Sequence, residues 1–159
     1  MSSASRIVKP GEGREFRVLG NTFLLKVTAA ETQDAYSVFE FASPPRGGIP
    51  PHINTREAET HIVLQGRYGF QVAAETHEVG PGAVFYLPRG IAHGFHVLGP
   101  EHGRMIVIPS PGSNNEAFVA KLAERFGDAL PAGGPDPATW EALAALAREY
   151  GSPPALPSG

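Results

Sequence analysis

Two short stretches of the chain carry side chains that commonly bind divalent metals. PHINTREAETH begins at residue 51 and holds His52, Glu59 and His61, and PRGIAH ends at His93. Neutral imidazoles combined with a carboxylate suit a divalent first-row metal that keeps open coordination positions, such as iron(II), manganese, nickel or cobalt. The chemistry depends on whether the fold brings the two stretches together.

Alternation along a strand predicts which of these side chains meet. Residues i and i+2 share a face of a strand, so Glu59 and His61 point the same way, whereas His96 points away from His93. If Glu59 and His93 face the inside of a barrel, His52 at the strand entrance joins them. The alternative is a barrel without metal, in which these polar groups hydrogen-bond to one another or to water.

The elements around these residues are predicted to be short strands. Gly (19 residues) and Pro (16 residues) punctuate apolar runs between about residues 6 and 109, which indicates eight to ten strands in an antiparallel barrel or sandwich. AYSVFEFAS alternates, with Ser37, Phe39 and Phe41 on one face, and PPRGGIPP is predicted to be a turn region. His77 and His102 are expected in solvated turns.

The C-terminal part changes to a helical period. Phe118, Leu122 and Phe126 form the apolar face of a first helix, which Asn114 or Asn115 would cap. A second helix has Asp136 as N-cap and Pro137 at its first position. Its predicted apolar face consists of Trp140, Leu143, Ala144 and Ala147. We therefore predict a polar leader (1–13), a barrel (14–110) and a helical extension (111–159) that packs on the barrel or on a partner subunit.

Composition narrows the functional classes. The chain of 159 residues suits one domain, and its lack of cysteine excludes disulfides and thiolate chemistry. The net charge is −3 with scattered basic residues, so we expect no nucleic-acid partner. No apolar run has the length of a signal peptide core or a membrane helix, so we expect a cytoplasmic protein without membrane contact.

The two stretches resemble the paired motifs of the cupin superfamily. GGIPPHINTREAETHIVLQG is similar to the first cupin motif, and GPGAVFYLPRGIAH is similar to the second. The matching positions are Gly47, His52, Glu59 and Gly66 in the first motif and Gly82, Pro88, Gly90 and His93 in the second. The whole chain resembles a single-domain cupin of the quercetin-dioxygenase-like group. The resemblance implies an all-β, cupin-type antiparallel β-barrel (jelly roll) with two C-terminal α-helices, and it implies metal ligation by His52, Glu59 and His93.

Asn54 departs from the motif, because it stands where the second histidine of a His-x-His pair is expected. Its amide oxygen would be a weak ligand for a hard metal, would orient a bound water or substrate, or would be an inert replacement. His61 is a further candidate, which would reach the metal, act as a general base near neutral pH or hydrogen-bond the substrate. The alternative is a buried histidine satisfied by a polar neighbour.

The resemblance implies a metal-dependent dioxygenase that acts on a small aromatic, flavonol-like or polyketide-like substrate. Glu59 would take the proton of the metal-activated hydroxyl, and His61 would support it. The cofactor would be one divalent transition metal: Fe, Ni, Mn, Co or Zn. The alternative is a non-oxygenase cupin, either an isomerase or cyclase or a module that only binds small molecules. Pairing of sheet edges makes a homodimer the expected assembly.

Overall fold

The structure, a computed structural model, describes residues 4–155. Residues 1–3 of the predicted leader and residues 156–159 of the predicted extension lie outside the described part. The strands are β1 (Arg14–Val18), β2 (Asn21–Val27), β3 (Val38–Ser43), β4 (Gly48–Ile53), β5 (Ala58–Gln65), β6 (Arg67–Val72), β7 (Glu75–Val79), β8 (Val84–Leu87), β9 (Ala92–Leu98) and β10 (Gly103–Ser110). They are followed by the helices α1 (Ser113–Phe126) and α2 (Pro137–Glu149).

The strands form two antiparallel sheets. The six-stranded sheet has the order β1-β2-β3-β10-β5-β8, and the four-stranded sheet has the order β4-β9-β6-β7. Side chains from both sheets share one core, in which Phe41 of β3 and Met105 of β10 pack with Phe70 of β6 and Phe95 of β9. The structure therefore confirms the predicted jelly roll with two C-terminal helices.

Alternating burial follows the predicted pattern. Ser37, Phe39 and Phe41 are each 0–1% exposed. Burial of alternate side chains is expected of a strand with one face on the core and one on solvent. The inward-facing positions of the sequence are therefore the ones that fill the space between the sheets.

β4 occupies a region that we predicted to be a turn. Pro50 and Pro51 lie inside this strand, which is at the end of the strand order of its sheet. Proline lacks the amide hydrogen of a ladder bond and is tolerated at edges and bulges. The pairing of β4 with β9 shifts register between Ile49 and His52, at these two prolines. The turn prediction was wrong because a strand at the edge of a sheet tolerates prolines. The prolines alone do not reveal that β4 lies at the edge.

The helix N-termini agree only in part with the predictions. Asp136 caps α2 through its side chain, which accepts a hydrogen bond of 2.7 Å from the Thr139 amide, so this prediction is confirmed. Helix α1 begins directly after Gly112, so the prediction of an asparagine cap was wrong. The carboxylate of Asp34, from a distant loop, accepts hydrogen bonds from the Gly112 and Ser113 amides. A cap that comes from elsewhere in the chain leaves no local sequence signal.

The helices pack through residues other than those at the centre of the predicted faces. Val119 of α1 is 2% exposed and belongs to a cluster with Phe16, Leu25 and Phe39 of the barrel. In α2 the buried residue is Leu146, whereas Trp140 of the predicted apolar face is 45% exposed. In residues 4–155, neither helix has the length and apolar character needed to cross a membrane.

Candidate metal centre

The predicted site residues come from both sheets. Glu59 and His61 lie on the inner face of β5 and are 6% and 2% exposed. His93 lies on β9 in the opposite sheet and is 1% exposed, and His52 of β4 is its cross-strand partner. Because the two sheets face each other across the core, residues 52 and 93 come to lie near residues 59 and 61.

Three of these side chains form one compact group. The potential ligand atoms of Glu59, His61 and His93 all lie within 4.8 Å of one another. Glu59 Oε2 is 2.7 Å from His61 Nε2 and 3.5 Å from His93 Nε2. His52 lies beside this group, and its ring centroid is 4.5 Å from that of His93. The structure thus brings together a carboxylate and three imidazoles.

The orientation of His93 suits a metal ligand. Its Nδ1 is 3.1 Å from the Ile91 carbonyl oxygen, so Nδ1 carries the hydrogen and donates it. Nε2 is then an acceptor, and it is buried without a hydrogen-bond partner. His52 is held in the same way, with Nδ1 3.0 Å from the Pro50 carbonyl oxygen. A backbone carbonyl that fixes one ring nitrogen and frees the other is the usual arrangement around metal-binding histidines.

The charges of the site match the requirements of a cation. Burial alone would raise the pKa of Glu59, but the hydrogen bond from His61 and the nearby His93 outweigh it, so this pKa lies well below its usual range. Desolvation and the adjacent His93 lower the pKa of His52 to about 4. At neutral pH the site therefore holds a charged carboxylate and a neutral His52, which is the state that binds metal. The donor set fits a divalent metal ion.

Asn54 is buried, but its amide oxygen is already engaged. Asn54 is 4% exposed, and its Oδ1 accepts a hydrogen bond of 2.8 Å from the hydroxyl of Ser152. Its Nδ2 is buried without a partner. A residue just beyond α2 therefore holds the oxygen that we considered as a weak metal ligand.

Other buried polar residues near the site were missed by the sequence analysis. Glu57 is 2% exposed, and burial raises the pKa of its carboxyl. Its Oε2 accepts a hydrogen bond from Nδ2 of Asn114 in α1, and the same nitrogen bonds to the Tyr150 carbonyl. The only sequence signal was the period of two that places Glu57 on the face of Glu59 and His61. The contacts to α1 and to residues after α2 left no signal.

The remaining histidines lie outside the group. His96 is exposed on the outer face of β9, as predicted. His77 and His102 are exposed as well, although His77 lies in β7 and not in a turn. None of the three belongs to the group of possible metal ligands found in residues 4–155.

Comparison with known proteins agrees with this fold. Residues 39–109 match the sequence profile of the cupin domain family. A curated relative, an uncharacterized protein of Streptomyces coelicolor, is 42% identical over 53 residues, which are 33% of this chain and 50% of that protein. The chain thus spans about half the length of the curated relative that it matches. The domain match and the jelly-roll fold both show a similarity to the cupin superfamily.

Solved structures with the same fold include several enzymes. The polyketide cyclase RemF from Streptomyces resistomycificus is 27% identical with a TM-score of 0.58, over 67% of this chain and 80% of RemF. KdgF from Halomonas sp. is 19% identical with a TM-score of 0.60, over 68% of this chain and 94% of that one. A predicted oxalate decarboxylase from Thermotoga maritima is 14% identical with a TM-score of 0.63, over 67% of this chain and 99% of the decarboxylase. These similarities make an enzyme plausible and do not select one reaction.

Proposed function

We propose that this protein is a metal-dependent dioxygenase of the cupin superfamily that acts on a small aromatic, flavonol-like or polyketide-like substrate. The observation that carries the proposal is the buried Glu59 carboxylate beside His61 and His93, with His93 Nε2 unpartnered. An unpartnered buried polar nitrogen is costly unless a ligand satisfies it, and the adjacent Glu59 carboxylate would attract a cation. Glu59 and His93 would hold the metal together with His52 or His61.

The chain's own residues would handle the substrate proton. When bound, a divalent metal would lower the pKa of the substrate hydroxyl that it contacts. Glu59 is the group that would accept the released proton at one of its carboxylate oxygens. His61 Nε2, 2.7 Å from Glu59 Oε2, would stabilise that carboxylate and exchange the proton with it. Phe70 and Phe95 lie within 5.5 and 5.7 Å of the His61 ring and would exclude water from this exchange.

A second candidate is a cyclase or isomerase that uses the same proton transfer without oxygen. The similarity to the polyketide cyclase RemF favours this candidate, since it is accompanied by 27% identity. Glu59 and His61 would then act as base and acid on an enolisable carbonyl compound, so that a new ring or an isomer is formed. The two candidates share the substrate class and the residues, and they differ in the use of molecular oxygen.

Reconstitution and oxygen consumption test the proposal. The protein is loaded anaerobically with Fe²⁺, Ni²⁺, Mn²⁺, Co²⁺ or Zn²⁺, and metal content is measured by mass spectrometry. Loaded protein is then mixed with flavonols, catechols and aromatic polyketides in an oxygen electrode cell. We expect metal-dependent oxygen uptake with both oxygen atoms in the product. Product formation without oxygen uptake would favour the cyclase, and a site that takes up no metal would exclude the dioxygenase.

We also propose a cytoplasmic homodimer that covers the outer face of β8. Val84 and Tyr86 on this face are 61% and 69% exposed, and Leu64 of the neighbouring β5 is 41% exposed. β8 lies at the end of its sheet, and its residues, VFYL, include no charged side chain. Open apolar edges favour pairing with another chain, and a second copy presents the same edge. We expect no contact with nucleic acid or membrane.

A further inference from the structure

The residues after α2 form an additional strand beside the candidate metal centre. The amides of Ile53 and Thr55 donate to the carbonyls of Pro153 (2.9 Å) and Gly151 (2.8 Å), and a bridge pairs His52 with Pro154. Residues 151–155, called the C-terminal segment below, therefore run antiparallel to β4. They lie on its free edge, beside the half-buried His52.

The side chain of Asn54 fastens this segment. Asn54 Oδ1 accepts the hydroxyl hydrogen of Ser152 at 2.8 Å, and both residues are buried, with exposures of 4% and 6%. It is a side-chain hydrogen bond between the residue that directly follows β4 and the segment, in addition to the backbone bonds. Buried hydrogen bonds of this kind stabilise one arrangement of two elements over others.

At the start of the segment, Gly151 allows the backbone to lie close to Thr55 and Arg56. Gly151 has a φ of +72°, and a Cβ at this position would lie 2.6 Å from Arg56 Nε and 2.7 Å from Thr55 Oγ1. Arg56 also donates to the Glu149 carbonyl at 2.9 Å, and Asn114 donates to that of Tyr150 at 2.8 Å. The end of α2 is thus held in place before the segment begins, and only glycine fits the first contact.

We propose that Asn54 is a positioning residue: it fastens the C-terminal segment along β4, and the segment holds the backbone of His52 so that the His52 ring stays beside His93 at the candidate metal centre. The position of the second histidine in the cupin motif is thereby used for a structural contact. The influence on metal binding rests on the proposed function, whereas the fastening itself does not.

Hydrogen exchange tests the fastening. Ser152→Ala removes the hydroxyl that bonds to Asn54, and the amide exchange rates of Ile53, Thr55 and Ala155 are then measured by NMR in metal-free protein. We expect about tenfold faster exchange, because one hydrogen bond of ordinary strength is lost. The control is Ser43→Ala, since Ser43 is equally buried at the end of β3 and its hydroxyl has no partner. Exchange rates equal to those of the control would overturn the inference.

A double-mutant cycle tests the effect on His52. Ni²⁺ affinity is measured by calorimetry for the wild type, Ser152→Ala, His52→Ala and the double variant, and Ser152→Thr serves as the conservative rescue. We expect Ser152→Ala to weaken binding about tenfold in the wild type and not in the His52→Ala background. An equal loss in both backgrounds would reject positioning of His52. A wild type that binds no metal would reject the proposed function together with the role of His52, while the exchange rates would still decide the fastening.

Discussion

At the residue scale, His93 and His96 are separated by three positions on β9, yet only His93 faces Glu59. His93 is 1% exposed with its Nε2 unpartnered, whereas His96 is exposed on the opposite face. Both side chains are imidazoles, so any difference in metal affinity between their alanine variants is due to where each side chain lies in the fold. They form a matched pair for testing the metal centre.

We predict that His93→Ala weakens metal binding by more than about 100-fold, the upper end of the effect of residues that only support a metal ligand. His96→Ala should leave the affinity unchanged within about twofold, because the side chain lies outside the barrel. Calorimetric titration with Ni²⁺ and Co²⁺ measures both. Equal affinities of the two variants would show that His93 is not a ligand.

His61 is distinguished by its hydrogen bond to Glu59. We predict that His61→Gln lowers kcat by about 100-fold or more, because glutamine can donate to Glu59 but cannot exchange a proton. Metal affinity should fall much less than in His93→Ala. Steady-state kinetics and metal content measure the two effects separately. Full activity in this variant would remove His61 from the proton transfer.

The pKa of Glu59 lies below its usual range and that of His52 is lowered to about 4. In acid, His52 and Glu59 bind fewer protons in the folded state than in the unfolded state. The free energy of unfolding therefore rises with pH in the acidic range. We predict that the metal-free protein loses stability as the pH falls from about 6.5 to 4 through His52, and again below the unfolded pKa of about 4.3 through Glu59.

Thermal unfolding from pH 3 to pH 8 measures this dependence. His52→Ala should flatten the curve between about pH 4 and 6.5, and Glu59→Gln should flatten it in the more acidic range. His77→Ala is the control for the first effect, because His77 is exposed in β7. If His52→Ala and His77→Ala have the same pH profile, the lowered pKa of His52 is wrong.

At the scale of elements, helix α1 depends on a cap from another part of the chain. Asp34 accepts hydrogen bonds from the amides of Gly112 and Ser113, at 3.1 and 2.9 Å, and another from the Ser113 hydroxyl. These hydrogen bonds, led by that from the Ser113 amide, lower the pKa of Asp34. The cap connects the loop before β3 to the helix whose Asn114 reaches Glu57.

We predict that Asp34→Ala lowers the free energy of unfolding by about 1 kcal/mol, the usual effect of removing an N-terminal cap. Asp128→Ala should change it by less than about 0.5 kcal/mol, because the Asp128 side chain forms an exposed ion pair with Arg17. Urea unfolding at pH 7 compares them, with an unchanged m-value as the check for two-state behaviour. Equal effects would show that the cap contributes nothing beyond a surface charge.

At the scale of the whole molecule, the exposed apolar face of β8 is the main candidate for contact with a second copy. We predict that Tyr86→Glu shifts the protein from dimer to monomer, because a charge on each subunit would be buried in the interface. Light scattering after size-exclusion chromatography at several concentrations measures the mass. Tyr36→Glu is the control, since Tyr36 is 42% exposed before β3. A monomeric wild type would contradict the proposed dimer.

Much of the fold could be predicted from local patterns. Alternating polarity marked the inward faces of β3, β5 and β9, and the two cupin-like stretches already contained Glu59 and His93, which the fold brings together. Local chemistry also identified Asp136 as the cap of α2. These features follow from residues that are neighbours in the chain, so a period or a spacing records them.

Contacts between distant residues were decided only by the tertiary structure. Pro50 and Pro51 indicated a turn, whereas the sheet order places them on an edge strand, and Asp34 showed no sign of capping α1. By itself the sequence determined which side chains point into the barrel. The tertiary structure decided that His61 bonds to Glu59 and that Asn54 bonds to Ser152, because a hydrogen bond requires two atoms within about 3 Å, a condition that no local pattern encodes.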